Sequence, residues 1–197
     1  MKYLKITRPP RQQAGATLIE ALVSILVLSL GLLGMAGLQL NALSYQKSSW
    51  ATHRIAELTG DIGERIRANP TAATDGNYTF TANYTTAKTA TITSNLCRTS
   101  GADCTTSQIA NDDLSSWILK AQNALPGGAA RLEGNPTNGF IVTALYADKE
   151  FVNPATGVPQ ASSVCTAASA GIAWRNCCPA GAAVPDGVRC YRTNIIP

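Results

Sequence analysis

The most pronounced hydrophobic pattern in the chain is a long apolar run over residues 16–40. Within it, residues 21–38 carry no charge, a stretch of 18 positions. A helix rises about 1.5 Å per residue, so these positions span roughly 27 Å, close to the hydrocarbon thickness of a bilayer. We therefore predict that residues 16–40 form a membrane-spanning helix.

Hydrophobic residues continue at helical spacing beyond this run. They are separated by steps of five, three, four and four, as on one side of an amphipathic helix: Trp50, Ile55, Leu58, Ile62 and Ile66. Pro70 disfavours a helical conformation for Asn69. The pattern predicts one helix over residues 17–68, whose second part, within residues 41–69, packs on a globular head formed by residues 70–197.

The head is predicted to be of the α+β class, with a small antiparallel sheet. Threonine-rich residues 71–95 predict a loop with one or two short strands, because β-branched residues favour strands. Asp112 or Asp113 is the predicted N-cap of a helix that ends before Pro126. Residues 129–133 and 140–146 predict a hairpin, and residues 188–195 a last strand, giving three or four strands.

Charge is concentrated before the apolar run. Four of the 16 basic residues precede residue 15 with no acid among them: Lys2, Lys5, Arg8 and Arg11. The rest of the chain has 12 basic and 12 acidic residues, so the head has no electrostatic footprint for nucleic acid. The positive-inside bias predicts a cytoplasmic N-terminus and a periplasmic head.

Six cysteines follow the apolar run: Cys97, Cys104, Cys165, Cys177, Cys178 and Cys190. We interpret them as disulfides rather than metal ligands, because no C-x-x-C pair is present and the one histidine, His53, lies far upstream. Cys97 and Cys104 close a short loop. The other four allow three connectivities. We favour Cys165–Cys177 and Cys178–Cys190, since adjacent cysteines rarely pair, and expect both to pin residues 167–187 to the sheet.

An ordinary signal peptide is the alternative explanation of the basic leader and apolar run. Signal-peptide cores are shorter, about 7–15 residues. Glu20 also stands at the start of the run, where an acid is costly in a membrane. A helix that serves only as a membrane anchor does not need an acid at this position.

Residues 15–20, GATLIE, resemble the prepilin peptidase site of the type IV pilin superfamily. The resemblance implies a leader of residues 1–15, cleavage between Gly15 and Ala16, and methylation of the new N-terminus at Ala16. It departs from the family at Ala16, where Phe is usual. Glu20 becomes the fifth residue of the mature chain, one helical turn from the new ammonium group.

Glu20 is therefore expected to pair with an N-terminal ammonium, its own or a neighbour's. Opposite charges attract strongly at low dielectric, and the resemblance implies that this pair sets the register of an incoming subunit. Gly31, Gly34 and Gly37 recur every three residues in the span. They favour either close helix packing or local loosening of the helix.

Two later segments resemble the PilV family of minor pilins, residues 64–70 and 113–128, together with residues 30–39. The resemblance implies a pilin-like fold and no cofactor. Its implied partners are prepilin peptidase, other minor and major pilins, an inner-membrane assembly platform and membrane lipid. It also implies a single-pass inner-membrane protein that later joins a pilus.

A minor pilin is thus the leading functional interpretation. The alternatives are a pilus-tip adhesin that uses the cysteine-rich region and a type II secretion pseudopilin. An enzyme is disfavoured, because the head beyond residue 69 contains no histidine for a nucleophile–base pair.

Overall fold

The structure, a computed structural model, describes residues 17–91, 97, 99, 101 and 103–196. The chain divides into two compact units, Met1–Ser48 and Ser49–Pro197. Helix α1 (Leu18–Ala68) contributes residues to both, which confirms the long N-terminal helix. It ends before Asn69, as expected from Pro70, which begins a further short helix.

The remaining elements establish an α+β fold. In chain order they are α2 (Pro70–Thr74), α3 (Tyr84–Thr89), α4 (Thr106–Ala124), β1 (Ala129–Asn135), β2 (Gly139–Ala147), α5 (Gly171–Asn176), a 3₁₀ turn (Ala180–Ala182) and β3 (Val188–Ile195). The strands form one antiparallel sheet in the order β1-β2-β3. The predicted hairpin and last strand are both confirmed, β3 with the predicted bounds.

One face of α1 supplies the first core of the second unit. Its buried residues follow steps of four, three, four and four: Ala51, Ile55, Leu58, Ile62 and Ile66. The prediction that Trp50 belongs to this face was wrong, since its side chain is 45% exposed. Ala51, one position further, has the helical spacing that continues the stripe.

Helix α4 begins earlier than predicted. Thr105 is its N-cap: the Thr105 Oγ1 accepts from the Gln108 N–H at 3.3 Å, and the Gln108 Oε1 accepts from the Thr105 N–H at 2.9 Å. This reciprocal pair satisfies the helix start, so the prediction of Asp112 or Asp113 as the cap was wrong. Asp112 lies inside the helix, where its Oδ2 accepts from the Cys97 N–H at 2.6 Å.

Asp113 joins α4 to α1 through a partly buried polar network. Its Oδ1 accepts from Arg65 Nη1 at 2.7 Å, and its Oδ2 accepts from the Tyr78 hydroxyl at 2.7 Å. Arg65 also pairs with Asp61 at 3.1 Å, and Lys120 reaches the same carboxylate at 3.0 Å. Two helices are therefore joined by linked ion pairs as well as by apolar packing.

The threonine-rich segment was predicted as a loop with one or two short strands, but it also contains helices. Its described residues include most of α2, all of α3 and, between them, a bridge of Phe80 to Leu132. Asn83 caps α3 by accepting from the Thr86 N–H at 2.9 Å, and the Tyr84 hydroxyl donates to the Gly127 carbonyl at 2.7 Å. A good N-cap and the burial of Tyr84 thus outweigh β-propensity. Residues 92–96, also in the predicted loop, lie outside the described residues.

The sheet separates two cores. One face packs against α1 and α4 through Ala130, Leu132, Phe140, Val142 and Ala144. The other face is covered by α3 and by the segment between β2 and β3, residues 148–187, which we call the tail; this core contains Tyr84, Ala87, Ala129, Leu145, Cys178, Ala182, Val188 and Cys190. The tail is therefore part of the fold and completes a core of its own.

Replacing Asp113 tests the polar network. Asp113→Asn removes one of the two carboxylate charges that pair with Arg65, so the free energy of unfolding should fall by about 2–3 kcal/mol. The matched control is Glu64→Gln, whose partner Arg67 lies 2.6 Å away at an exposed position; it should change by less than about 1 kcal/mol. Denaturant titration of the full chain in detergent micelles measures both, and equal losses would contradict the network.

Asp61 predicts an acid dependence of stability. Burial raises the pKa of its carboxyl, but hydrogen bonds from Lys120 and Arg65 outweigh this, so the pKa lies below its ordinary value of 3.8. A lowered folded-state pKa adds stability above the unfolded value, which is lost as pH falls through the folded value. The melting temperature should therefore decrease as the pH is lowered below about 4. This decrease should be smaller in Asp61→Asn. Parallel pH profiles of the two proteins would contradict this assignment.

Candidate functional site

The N-terminal part of α1 is the first candidate site. Its segment Leu18–Leu43 has 26 residues and is long and apolar enough to cross a membrane. At about 1.5 Å per residue it measures roughly 39 Å, more than the hydrocarbon core of about 30 Å. All its side chains are exposed in the single chain. Lipid or other helices must therefore cover this segment, because water does so only at a large free-energy cost.

Glu20 lies in the first turn of α1 and is exposed. Its N–H donates to the Thr17 carbonyl at 3.0 Å, and its own carbonyl accepts from the Ser24 hydroxyl at 2.7 Å. The carboxylate thus stands at the positive end of the helix dipole, which favours an acid there. Gly15 and Ala16 lie outside the described residues, so the pairing of Glu20 with the Ala16 amine stays a prediction.

The three glycines of the apolar segment leave notches on the helix surface. A Cβ atom added at Gly31, Gly34 or Gly37 would meet nothing within 4 Å. Positions three apart differ by about 60° around a helix, so the three notches share a sector of about 120°. The described helix is continuous through all of them. The sector therefore offers a place for close approach by another helix.

The six cysteines form the three pairs that the sequence analysis favoured. These are Cys97–Cys104, Cys165–Cys177 and Cys178–Cys190. Among the described residues there is no cluster of three metal-ligating side chains. The expectation that both tail disulfides reach the sheet was wrong. Cys178–Cys190 joins the tail to β3, whereas Cys165–Cys177 closes a loop within the tail that contains α5.

Two arginines that the sequence analysis did not identify hold the tail against the sheet. Arg131 on β1 and Arg192 on β3 both lie opposite Thr143 on β2, forming one cross-strand row. They are only 5% and 7% exposed. Burial lowers the pKa of both guanidinium groups, and the Glu133 carboxylate opposes that shift. Strand alternation in the sequence could have predicted the burial of Arg192. It lies two positions from Cys190 on β3, so the two side chains share one face of the sheet.

Arg131 joins three segments through main-chain oxygens. Its Nη1 donates to the carbonyls of two residues before α3 and one in the 3₁₀ turn: Thr81, Ala82 and Gly181. Three carbonyl acceptors on one guanidinium nitrogen offset part of the cost of burying the charge. Arg131 therefore fixes the tail and the segment before α3 to the same strand.

Arg192 holds the disulfide loop of the tail. Its guanidinium carbon lies 4.6 Å from the centroid of the Trp174 ring, within the range of a cation–π contact. Its Nη1 lies 3.1 Å from Cys165 Sγ and 3.6 Å from Cys177 Sγ. The Glu133 carboxylate is 3.8 Å from its Nη2. The cation is thus in contact with both sulfur atoms of one disulfide.

A groove of about 770 Å³ lies between the second part of α1 and α4. Its acidic residues all have structural partners. Glu57 pairs with Arg54 at 2.8 Å, Asp61 pairs with Lys120, and Asp112 accepts from a backbone N–H. Each carboxylate of the groove therefore has a partner within the described part of the chain.

Comparison with known families gives two adjoining matches. The family model of the prokaryotic N-terminal methylation motif matches residues 10–36, and that of Type IV pilin Tt1218 matches residues 37–115. No curated protein and no solved structure gives a significant match. The first match contains Gly15, Ala16 and Glu20, and the second contains the buried stripe of α1 and much of α4. Neither match names the PilV family.

Proposed function

We propose that this chain, which belongs to the type IV pilin superfamily, is a minor pilin of the PilV type. Its N-terminal methylation motif implies processing by a prepilin peptidase and association with a pilus. The observation that carries the proposal is that one helix combines this motif, a 26-residue exposed apolar segment and the core stripe of a disulfide-bonded head. Pilins are structural subunits, and we propose no enzymatic role.

Contacts between the two PilV-like segments support the finer assignment. Residues 64–70 lie at the end of α1, and residues 113–128 include most of α4. Arg65 of the first segment binds Asp113 of the second at 2.7 Å. Trp117 of the second segment donates from Nε1 to the carbonyl of Leu58, which precedes the first segment on α1, at 2.8 Å. The quoted motifs thus contribute to one helix–helix contact.

The proposed organisation follows the chain. Residues 1–15 are the leader, residues 16–40 the membrane and assembly segment, residues 41–69 the amphipathic part of α1 and residues 70–197 the head. The basic leader places the N-terminus in the cytoplasm, so the head is in the oxidising periplasm, where disulfides form. The apolar segment leaves the inner membrane only when other pilin helices replace the lipid around it.

Glu20 is proposed to fix the subunit in the growing fibre. Cleavage after Gly15 leaves the Ala16 ammonium group in a region of low dielectric, where a carboxylate one turn away stabilises it or the amine of a neighbour. Gly31, Gly34 and Gly37 supply the close helix contacts. The partners are prepilin peptidase, major and minor pilins and the inner-membrane assembly platform.

Processing and the role of Glu20 are tested together in cells that possess the peptidase and the pilus. The intact mass of the membrane-extracted protein should lack residues 1–15 and include one methyl group. In Glu20→Gln the leader should still be removed, but incorporation into sheared fibres should fall at least about tenfold, because the buried ammonium loses its counter-charge. Glu57→Gln, on the same helix but outside the apolar segment, should incorporate like the wild type.

The experiment distinguishes the processing of the leader from the role of the Glu20 carboxylate. An uncut leader in these cells would contradict the assignment as a processed pilin. Normal incorporation of Glu20→Gln with a correctly cut leader would contradict only the role of the carboxylate. A secretion pseudopilin would give the same mass but depend on secretion components, not pilus components, for fibre formation.

A binding role at the fibre tip is the second candidate. The tail exposes Val158, Val164 and Ile172, while its disulfides keep the backbone in place. Exposed apolar side chains on a fixed backbone are features of partner surfaces.

Replacing exposed tail residues tests this second role without removing the tail core. The double variant Val164→Ser and Ile172→Ser should leave fibre number unchanged, since neither side chain belongs to a core. If the tail binds a target, attachment of fibres to it should fall at least about tenfold, because a few apolar anchors carry most binding energy. Lost fibres would instead indicate an assembly surface, and unchanged attachment would contradict a binding role for these residues. Leu119→Ser, at an exposed position of α4, is the control.

A further inference from the structure

The two tail disulfides differ in the charge beside their sulfur atoms. Arg192 Nη1 contacts both sulfurs of Cys165–Cys177, at 3.1 and 3.6 Å. Within the part of the chain that the structure describes, no guanidinium contacts Cys178 or Cys190 in this way. A cation beside sulfur stabilises the thiolate over the thiol, so the two bonds are expected to differ in how readily they open.

Arg192 is placed so that its charge acts strongly on this bond. It is 7% exposed, stacked on Trp174 and near Glu133. Arginine stays protonated in proteins, even where burial lowers its pKa. A fixed cation away from water stabilises a neighbouring anion more than an exposed one does.

The two cysteines of the Cys165–Cys177 bond differ in their exposure to solvent. Cys165 is half-buried, whereas Cys177 is 1% exposed. Cys165 is thus the more exposed residue of the pair, so we infer that an external thiolate attacks its sulfur and that Cys177 is the leaving group. Cys178 and Cys190 are both buried, at 1% and 4% exposure, so the second bond is shielded at both ends.

We propose that Cys165–Cys177 is a thiol–disulfide exchange site, attacked at Cys165 by an external thiol while Arg192 stabilises the departing Cys177 thiolate. Attack forms a mixed disulfide between the thiol and Cys165 and breaks the Cys165–Cys177 bond, whose electron pair leaves on Cys177. A second thiol attacks the external sulfur of the mixed disulfide and releases Cys165. Two external thiols are thereby oxidised to one disulfide, and one disulfide of the protein is reduced to two thiols.

Opening this bond changes a limited part of the head. The loop between Cys165 and Cys177 contains α5 and Trp174, so its release frees the ring that covers Arg192. Cys178–Cys190 continues to join the end of the tail to β3. The exchange site therefore controls one loop while the sheet keeps its covalent connection. This inference does not depend on entry of the chain into a pilus.

Graded reduction of the full chain in detergent micelles tests the proposal. The protein is exposed to reduced glutathione at pH 7, quenched and alkylated, and the labelled cysteines are identified by peptide mass spectrometry. Cys165 and Cys177 should be labelled before Cys178 and Cys190, and the first glutathione adduct should be on Cys165. Arg192→Gln should slow opening by roughly three- to tenfold, because the leaving thiolate loses its cation.

Arg189→Gln is the matched control. Arg189 lies on the same strand, 5.1 Å from the Phe151 ring and 3.2 Å from Asp148, but away from this disulfide. In Arg189→Gln the Cys165–Cys177 bond should open at the wild-type rate. In Arg192→Lys, which keeps the charge, the bond should open faster than in Arg192→Gln. Simultaneous labelling of both tail disulfides, or equal slowing by the Arg189 and Arg192 variants, would overturn the proposal.

A second measurement covers the case in which Arg192→Gln does not fold. In Cys165→Ser, Cys177 is left as a thiol with Arg192 intact, and the pH dependence of its alkylation rate reports its pKa. The pKa should lie below about 8.5, the ordinary value of a cysteine. A value at or above that level would show that the cation does not activate this sulfur and would overturn the proposal.

Discussion

The apolar segment Leu18–Leu43 constrains every other part of the molecule. None of its side chains is buried by the chain itself, and so many aliphatic groups cannot remain in water without a large cost. Lipid and neighbouring helices are both able to cover them, which fits a membrane-anchored pilin. A single acid, Glu20, at the start of such a segment is costly in lipid, and we propose that an N-terminal ammonium group, its own or a neighbour's, offsets that cost. The apolar side chains need partners outside the chain, which is why a structural role in an assembly fits this protein.

The same helix meets a different environment beyond Ser48. There the apolar residues narrow to one stripe, from Ala51 to Ile66, and the opposite side becomes charged. The stripe packs into the first core, and Arg65 and Asp61 add ion pairs to α4. Apolar packing supplies most of the stability, whereas the ion pairs restrict which helix surfaces can meet. One helix, α1, therefore carries the apolar segment and also contributes to the core of the second unit.

Local signals predicted most of this fold, and distant contacts account for the rest. The hairpin and β3 follow from alternation and turn residues, which are short-range patterns. The start of α4 could also have been predicted from nearby residues, since Thr105 and Gln108 have the spacing of a capping box. The adjacent aspartates Asp112 and Asp113 were chosen as the cap instead. For α3, the hydroxyl of Tyr84 finds its acceptor 43 residues away, at Gly127. Sequence patterns over a few residues cannot predict a contact between residues so far apart in the chain.

The buried arginines show why stability alone does not explain the tail. The Nε atoms of Arg131 and Arg192 and the hydroxyl oxygen of Thr143 between them have no hydrogen-bond partner among the described residues. Incompletely satisfied buried cations are costly, and apolar residues in such places are often as stable or more so. Arg131 at least joins two other segments to β1 through their carbonyls. Arg192 instead contacts an aromatic ring, two sulfur atoms and the Glu133 carboxylate, so its charge lies directly beside the disulfide bond. Its position is better explained by what it does to Cys165–Cys177 than by what it adds to the core.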